Sequence, residues 1–304
     1  MIRRVVLRWG FLAIVCIFAG SLVFRGADTP NLLQPVALWP AASGGLYALD
    51  RTEGLFYIPG GGADLYIGNS VKVAAFRPSW QAIDLAAVRV GSEDRIYVLL
   101  GQETIGMLAC YTNRQFERSW ISKTLLTGIA PDPAGHRLFL SGALKNEIYA
   151  FDWNDPGASP TKLLTSLRES QILGPLAFDP GGHTLYVGDE RAGVVLGMDV
   201  QTREILRTFK IGGQPSGLAL DPSGQTLVIV DSVGRKVWRT DVKTGRLLTV
   251  SNSREFRQPS SVAIDSTGGV WVGDQEAKAI FRLSSNGNVT AYHLLLRPDA
   301  GGQP

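Results

Sequence analysis

Cysteine and histidine are scarce in this sequence, and their scarcity excludes several kinds of chemistry. Of the two cysteines among 304 residues, Cys16 lies in an apolar N-terminal run, so Cys110 has no partner with which to form a disulfide framework. The three histidines, His136, His183 and His293, stand at no metal-binding spacing from a second ligand. We therefore expect neither a disulfide scaffold nor a histidine-based metal site. We expect Cys110 to be a buried strand residue, because free cysteine buries readily.

An excess of charge of one sign is also lacking outside the first thirty residues. The formal net charge is +3, but four of the 30 basic residues and one of the 27 acidic residues lie within residues 1–30. The remainder is therefore neutral, and a neutral domain has no electrostatic surface for the phosphates of a nucleic acid. We expect no nucleic-acid partner.

The N-terminus combines a basic stretch with an apolar one. MIRRVVLR precedes an uncharged run at residues 9–24, which is typical of an export signal and slightly short of the ~20 residues of a membrane-spanning helix. Three arginines before the run and one after it predict a cytoplasmic N-terminus. We expect residues 1–30 to be a cleaved signal peptide or a hydrophobic helix that anchors the chain in the inner membrane through residues 5–24. In both cases the remainder is extracytoplasmic, either periplasmic or secreted.

Glycine is abundant, at 35 residues, and so is internal repetition. Four segments superimpose on a shared turn aspartate: GIAPDPAGHRLFLSG (128–142), PLAFDPGGHTLYVGD (175–189), GLALDPSGQTLVIVD (217–231) and SVAIDSTGGVWVGD (261–274). Two weaker copies precede them: PVALWPAASGGLYALD (35–50) and DLAAVRVGSEDRIYVLL (84–100). Six copies with a period of about 45 residues account for residues 31–304 without a linker or a second domain.

Each copy is predicted to contain four short strands. In the fifth copy, apolar runs at 217–220 and 227–230 flank an Asp-Pro-Ser-Gly turn, and two alternating segments follow. Continuous apolar runs indicate strands buried on both faces, and alternation indicates strands nearer solvent. A β-sandwich would not explain the period. We therefore predict an all-β six-bladed β-propeller of four-stranded antiparallel blades at 31–304, with blades 1 and 2 degenerate and blades 3 to 6 clear.

The run FKIGGQPSGLALDPSGQTLVIVDSVGRKVWRTDVKTGRLL (209–248) closely resembles the NHL and YVTN repeats. The resemblance is specific from about 125 to 294, and it implies a radial propeller that is used as a binding or scaffolding surface. It also implies that the loops entering the innermost strands and the loops joining second to third strands share one face, where ligands bind. On that face we place these candidate binding residues: Asp84, Gln34, Ser216, Ser260, Arg191 and Arg235.

Gluconolactonase-like propellers are distantly similar, and they hold a divalent cation such as calcium with a glutamate, an asparagine and an aspartate at the channel mouth. The positions that we match to these ligands are Gln34, Ser216 and Ser260, none of which is a carboxylate. Neutral oxygens alone bind a divalent cation poorly and provide no general base. Asp84 is the one acid that we place at such a position, in blade 2.

Further expectations concern the turn aspartates, the tryptophans and the histidines. The repeated turn aspartates are expected to accept hydrogen bonds from backbone amides two residues on. The scattered tryptophans share no position in the repeat and are expected to pack in the core. The histidines lie away from the mouth, unlike the histidine base of the streptogramin lyases, whose repeat is also similar.

The sequence thus favours a binding or scaffolding module over an enzyme. We predict an extracytoplasmic propeller that binds a protein, a glycan or a small ligand, with no catalytic residue, no metal ligand and no cofactor assigned. The alternative is a metal-dependent lactone or ester hydrolase of the gluconolactonase-like type, which would need a bound cation and at least two converging acids.

Overall fold

The computed structural model describes residues 16–18, 21–23, 32–61, 64–143, 146–155, 160–165, 172–179, 181, 183–284 and 286–294. In this part of the chain, the regular structure is almost all β, with a single turn of 3-10 helix at Ile67–Asn69. Six sheets of four antiparallel strands are formed, and within each sheet the strands follow one another in chain order. These sheets are the six predicted blades.

The blades have the following strands, from first to fourth. Blade 1 comprises Pro35–Pro40, Leu46–Asp50, Gly54–Ile58 and Val71–Ala74, with a small hairpin of Gly60–Gly61 and Asp64–Leu65 before its fourth strand. Blade 2 comprises Gln81–Val90, Glu93–Gln102, Ile105–Thr112 and Gln115–Ser122. Blade 3 comprises Leu126–Asp132, Arg137–Gly142, Glu147–Asp152 and Thr161–Thr165. Blade 4 comprises Leu173–Asp179, Thr184–Asp189, Val194–Asp199 and Ile205–Lys210. Blade 5 comprises Pro215–Leu220, Thr226–Asp231, Lys236–Asp241 and Leu247–Ser251. Blade 6 comprises Pro259–Ile264, Val270–Asp274, Ala279–Leu283 and Val289–Tyr292.

The first strands of the six blades form a closed ring around the channel. Each first strand contacts the first strands of its two neighbours, and that of blade 6 contacts that of blade 1. Each blade is built from consecutive strands of the chain, so the ring closes by packing and not by an exchanged strand in the described residues. Leu33 N donates to Leu294 O at 2.9 Å across this closure.

Six apolar clusters hold the ring together, one between each pair of neighbouring blades. In the cluster between blades 6 and 1, Leu38 and Leu46 pack with Trp271 and Ile280. Full burial of an aliphatic or aromatic side chain contributes about 1.5–3 kcal/mol, so each interface stabilises the ring substantially. A four-stranded sheet cannot cover its own two faces, and radial stacking covers both.

Burial is high in the first two strands of the blades, is highest in the second strands, and is lowest in the fourth strands, as the sequence pattern predicts. The second strand of blade 1, Leu46–Asp50, is buried throughout, whereas the fourth strand of blade 4, Ile205–Lys210, is exposed except at Phe209. The prediction for Cys110 is confirmed: it is fully buried between blades 2 and 3, and this burial raises the pKa of its thiol to about 12.

The predicted N-terminal helix is not found in the described residues. Of residues 5–24, the structure describes Cys16–Phe18 and Ser21–Val23, which pair as two short antiparallel strands. The β-branched and aromatic residues of this run favour a β-strand. The sequence analysis had assigned the same apolar residues to a hydrophobic helix. The rest of the run lies outside the described residues. Among those that are described, no helix is long and apolar enough to cross a bilayer. The signal or anchor role stays a prediction.

Candidate functional site

Four buried aspartates end the second strands of blades 1, 4, 5 and 6, namely Asp50, Asp189, Asp231 and Asp274. Asp274 shows what they do: its carboxylate accepts hydrogen bonds from Arg257 N (2.7 Å) and Gln258 N (3.0 Å) in the loop that enters the first strand. It also accepts one from Ala277 N (2.9 Å) in the loop between the second and third strands. These bonds fasten the two sets of loops to each other on one end of the channel, which we call the entry rim.

The repeated turn aspartates lie at the opposite end, the turn rim, and they accept backbone N–H groups as predicted, but the predicted spacing of two residues holds for Asp265 and not for Asp221. Asp221 Oδ1 accepts from Gln225 N and Thr226 N, both at 2.9 Å. Asp265 Oδ1 accepts from Thr267 N at 2.9 Å and Gly269 N at 2.8 Å. Because backbone amides satisfy these carboxylates locally, they are turn formers.

A cavity of about 350 Å³ opens at the entry rim. Its polar lining consists of Arg51, Gln81, Asp84, Thr127, Glu190, Gln214, Ser216, Ser232, Gln258, Ser260, Ser261 and Gln275. Its apolar lining includes Val36, Leu38, Trp39, Ile83, Leu85, Ile129, Leu176, Leu218 and Val262. Amides and hydroxyls thus dominate the polar lining, with two carboxyl groups and one guanidinium among them. Ligand sites in proteins have volumes of ~300–1,000 Å³, so this cavity has the size of a small-molecule site.

Asp84 lies at the channel wall on the first strand of blade 2, where the strand is bulged. Its Oδ1 accepts from Leu85 N at 2.8 Å, and its Oδ2 accepts from Ile129 N of blade 3 at 3.0 Å. Burial raises the pKa of this carboxyl to about 7, although the two backbone N–H groups act in the other direction. Asp84 therefore links two blades and places a carboxyl of raised pKa in the cavity.

Glu190 is a second carboxyl in this cavity, and the sequence analysis did not single it out. Its Oε2 accepts from Gln214 Nε2 at 2.7 Å. Its side chain lies over Gly174, where an added Cβ would be 2.4 Å from Oε1. Burial raises its pKa, the bond from Gln214 lowers it, and the negative charge of Asp189 raises it further.

Ser216 and Ser260 do line the cavity, but their hydroxyls are engaged between blades. Ser216 Oγ donates to Pro259 O at 2.9 Å, and Ser260 Oγ donates to Pro35 O at 2.8 Å. Thr127 makes the same bond from blade 3, with Oγ1 donating to Leu173 O at 2.8 Å. These hydroxyls are therefore clasps between neighbouring blades. Gly174 occupies the same bulge position in blade 4 and has no hydroxyl to form one.

The pairing register places Gln34 two residues before the bulge position of blade 1, which is Val36. Gln34 is thus equivalent to Gln214 and Gln258, and its backbone N–H donates to Asp50. Unlike those two glutamines, it is not among the residues that line the cavity.

Arg191 and Arg235 lie on exposed loops of the entry rim and do not line the cavity. Arg51, on the equivalent loop of blade 1, does, and its Nη1 donates to Gln275 Oε1 at 3.4 Å. The structure therefore brings Asp84, Ser216 and Ser260 together and leaves the other three predicted residues outside.

The described residues do not fit a divalent cation in the cavity. They contain no group of three or more histidine, cysteine, aspartate or glutamate side chains close enough to share a metal. The two serines at the matched ligand positions donate their hydroxyl protons to carbonyls. Two acids at different blades, with amides between them, fall short of the oxygen cage that calcium requires.

Comparison with known proteins gives a fold and no specific activity. The SMP-30/gluconolactonase/LRE-like region matches residues 190–295, and no curated protein matches the chain. The nidogen/laminin complex contains a chain that is 16% identical, with a TM-score of 0.65 over 77% of this chain and 87% of that one. A catalytically inactive virginiamycin B lyase from Staphylococcus aureus with quinupristin is 13% identical, with a TM-score of 0.59 over 88% of this chain and 86% of that one. These similarities, together with the closed ring of six blades, support the assignment of this chain to a six-bladed β-propeller family.

Proposed function

We propose that this chain is an extracytoplasmic binding module that takes a small polar ligand, or the end of a glycan, in the entry-rim cavity. The observation that carries the proposal is the lining: four glutamine amides and several hydroxyls surround a pocket with an apolar floor. Such groups both donate and accept hydrogen bonds, which suits a ligand with many hydroxyls. A concave site of this volume accommodates a small molecule or a chain end more readily than the surface of a folded partner.

Gln258 provides a direct test, because it lines the cavity and is exposed to solvent. We expect Gln258→Ala in the full chain to weaken binding of mono- and disaccharides about tenfold, since one hydrogen bond is worth ~1.4 kcal/mol or somewhat less. Titration calorimetry against a saccharide panel measures this. Gln115→Ala, on the exposed outer strand of blade 2, is the control and should bind normally. If no saccharide binds, or if both variants bind alike, the proposal is wrong.

A second candidate is a lactone or ester hydrolase, and Asp84 is the observation that favours it. Asp84 is partly buried and has a pKa of about 7, which is a common property of general acids and bases. The match of residues 190–295 to the SMP-30/gluconolactonase/LRE-like region also favours a hydrolase. The poor fit of the lining residues to a cation opposes it.

Thermal unfolding after chelation separates these two candidates. A ligand that binds only the folded state at a hundredfold excess over its dissociation constant adds ~2.7 kcal/mol of stability. We expect calcium, magnesium, manganese and zinc each to cause no selective rise in Tm, and we expect no hydrolysis of a lactone panel. An ion-selective rise, together with hydrolysis that is lost in Asp84→Asn, would establish the hydrolase instead.

A further inference from the structure

The floor of the entry-rim cavity is apolar and contains one aromatic side chain among the described lining residues. Trp39, Leu176, Leu218 and Val262 line this cavity and also a second cavity of about 460 Å³ at the turn rim. They therefore form an apolar collar between the two ends of the channel. Trp39 is half-buried and offers the collar its one aromatic face. Flat C–H faces of pyranose rings pack on such surfaces while their hydroxyls remain free for hydrogen bonds.

The two carboxyls above this floor have no cationic partner among the residues that the structure describes. None of the ion pairs in the described part of the chain involves Asp84 or Glu190. Within the described part of the chain, Arg51 is the only cationic side chain in the lining; it lies on blade 1 and donates to Gln275 of blade 6. The acids, in contrast, lie on blades 2 and 4. A desolvated carboxyl without a cation either takes up a proton or is stabilised by a cation from a ligand.

Both carboxyls also keep acceptor capacity. An ionised carboxylate has about four lone-pair sites, and each oxygen of Asp84 accepts one backbone N–H. Glu190 Oε2 accepts from Gln214, and Oε1 accepts no hydrogen bond from the described residues. The amide oxygens of neighbouring glutamines add further acceptors. A primary ammonium has three N–H donors, which can bond to these carboxylate and amide oxygens. A bare divalent cation fits the same oxygens less well, because too few acidic side chains of the described residues converge on one point.

We propose that the ligand is a saccharide that carries a primary amine, with its ammonium group held by Asp84 and Glu190, its hydroxyls by the glutamine amides, and one ring face by Trp39. This inference rests on the proposed function and names its ligand class. Because the ammonium favours the ionised carboxyls, binding near pH 6 releases protons from the site.

Calorimetric titration of the full chain tests this inference with two matched ligands, a glucosamine oligosaccharide and its N-acetylated counterpart. At pH 7 we expect the amine form to bind at least tenfold more tightly. Repeating the titration at pH 6 in two buffers of different ionisation enthalpy should show net proton release. Asp84→Asn and Glu190→Gln should each remove most of the preference while the neutral saccharide still binds.

Glu276→Gln is the matched control, because Glu276 is an exposed acid on the same rim and does not line the cavity. It should keep the full preference, whereas a general attraction between opposite charges would be weakened by it as well. Equal affinity for the two oligosaccharides would overturn the amine inference and leave the proposed function standing. Absence of binding by either oligosaccharide, or by any other saccharide of the panel, would overturn both. Thermal unfolding of each variant verifies that it is folded.

Discussion

Replacing Asp274 with alanine is expected to lower the free energy of unfolding by about 3–5 kcal/mol, because three backbone N–H groups lose their acceptor in a buried place. The carboxylate is fully buried, so water replaces it incompletely. The two loops that it fastens include Gln258, which lines the cavity. Saccharide binding should therefore weaken together with stability. Urea denaturation followed by intrinsic fluorescence measures the loss.

Asp241→Ala is the control for this substitution. Asp241 also accepts two backbone N–H groups, from Lys243 (2.9 Å) and Thr244 (2.7 Å), but it does so on an exposed turn between the third and fourth strands of blade 5. Water replaces the carboxylate there, so the stability loss should be much smaller. If the two variants lose the same free energy of unfolding, the burial of Asp274 at the entry rim does not strengthen its contribution to stability.

The fold could be predicted from the sequence because it is periodic. A repeat of about 45 residues requires one structural unit per period, and a single four-stranded sheet needs neighbours on both faces. The degenerate copies, 35–50 and 84–100, fall on the first two strands of blades 1 and 2 as expected. Blade 2 differs in its long strands, such as Gln81–Val90, which the period alone could not indicate.

The candidate site was only partly predictable, because a bulge in each first strand changes which residues face the channel. We matched the mouth positions by taking the residue five before each turn aspartate, which correctly gives Ser216 and Ser260 from Asp221 and Asp265. Blade 1 has no turn aspartate, and the same count from the equivalent position gave Gln34 in place of Val36. The shared Gln-Pro pair of LLQPVALW, QPSGLALDP and QPSSVAIDS would have aligned Gln34 with Gln214 and Gln258.

The sequence analysis missed Glu190 because its position depends on the absence of a side chain at Gly174, in a different loop. Glu190 turns toward the channel over Gly174, where blades 3, 5 and 6 have a serine or threonine that bonds to the next blade. The signal was present in the sequence as a glycine at the bulge position of blade 4, beside an acid that directly follows the end of the second strand. Reading it required knowing that the two loops meet, which is information about tertiary structure.

Asp84→Asn is expected to change how stability depends on pH. The pKa of Asp84 is about 7 in the folded protein and ~3.9 in the unfolded chain. Between these values the folded state binds one proton more than the unfolded state, so the free energy of unfolding falls as pH rises from about 4 to 7 and is then constant. Asparagine does not titrate, so the variant lacks this contribution.

The difference in unfolding free energy between the variant and the parent chain should therefore move in favour of the variant by about 2–3 kcal/mol between pH 4.5 and 8. The upper figure corresponds to the roughly 2.5 pH units between 4.5 and the folded pKa, at ~1.36 kcal/mol each, and the water in the channel reduces it. Asparagine also loses one acceptor for Leu85 N or Ile129 N, which adds a loss that is independent of pH. The slope against pH, measured by urea denaturation at several pH values, is thus the informative quantity.

Glu117→Gln supplies a control of opposite sign. Thr112 Oγ1 donates to Glu117 Oε2 at 2.7 Å, and this bond, opposed by burial and aided by Arg95 and Arg118, lowers the pKa of Glu117. A lowered carboxyl pKa stabilises the fold above the unfolded value and loses that effect as pH falls. Its removal should therefore cost most at high pH, where Asp84→Asn gains most. If the unfolding free energies of Asp84→Asn and the parent chain depend on pH in the same way, the pKa of Asp84 is not raised in the folded protein. The carboxyl in the channel would then be well solvated, and the argument that it attracts a cationic ligand would lose this support.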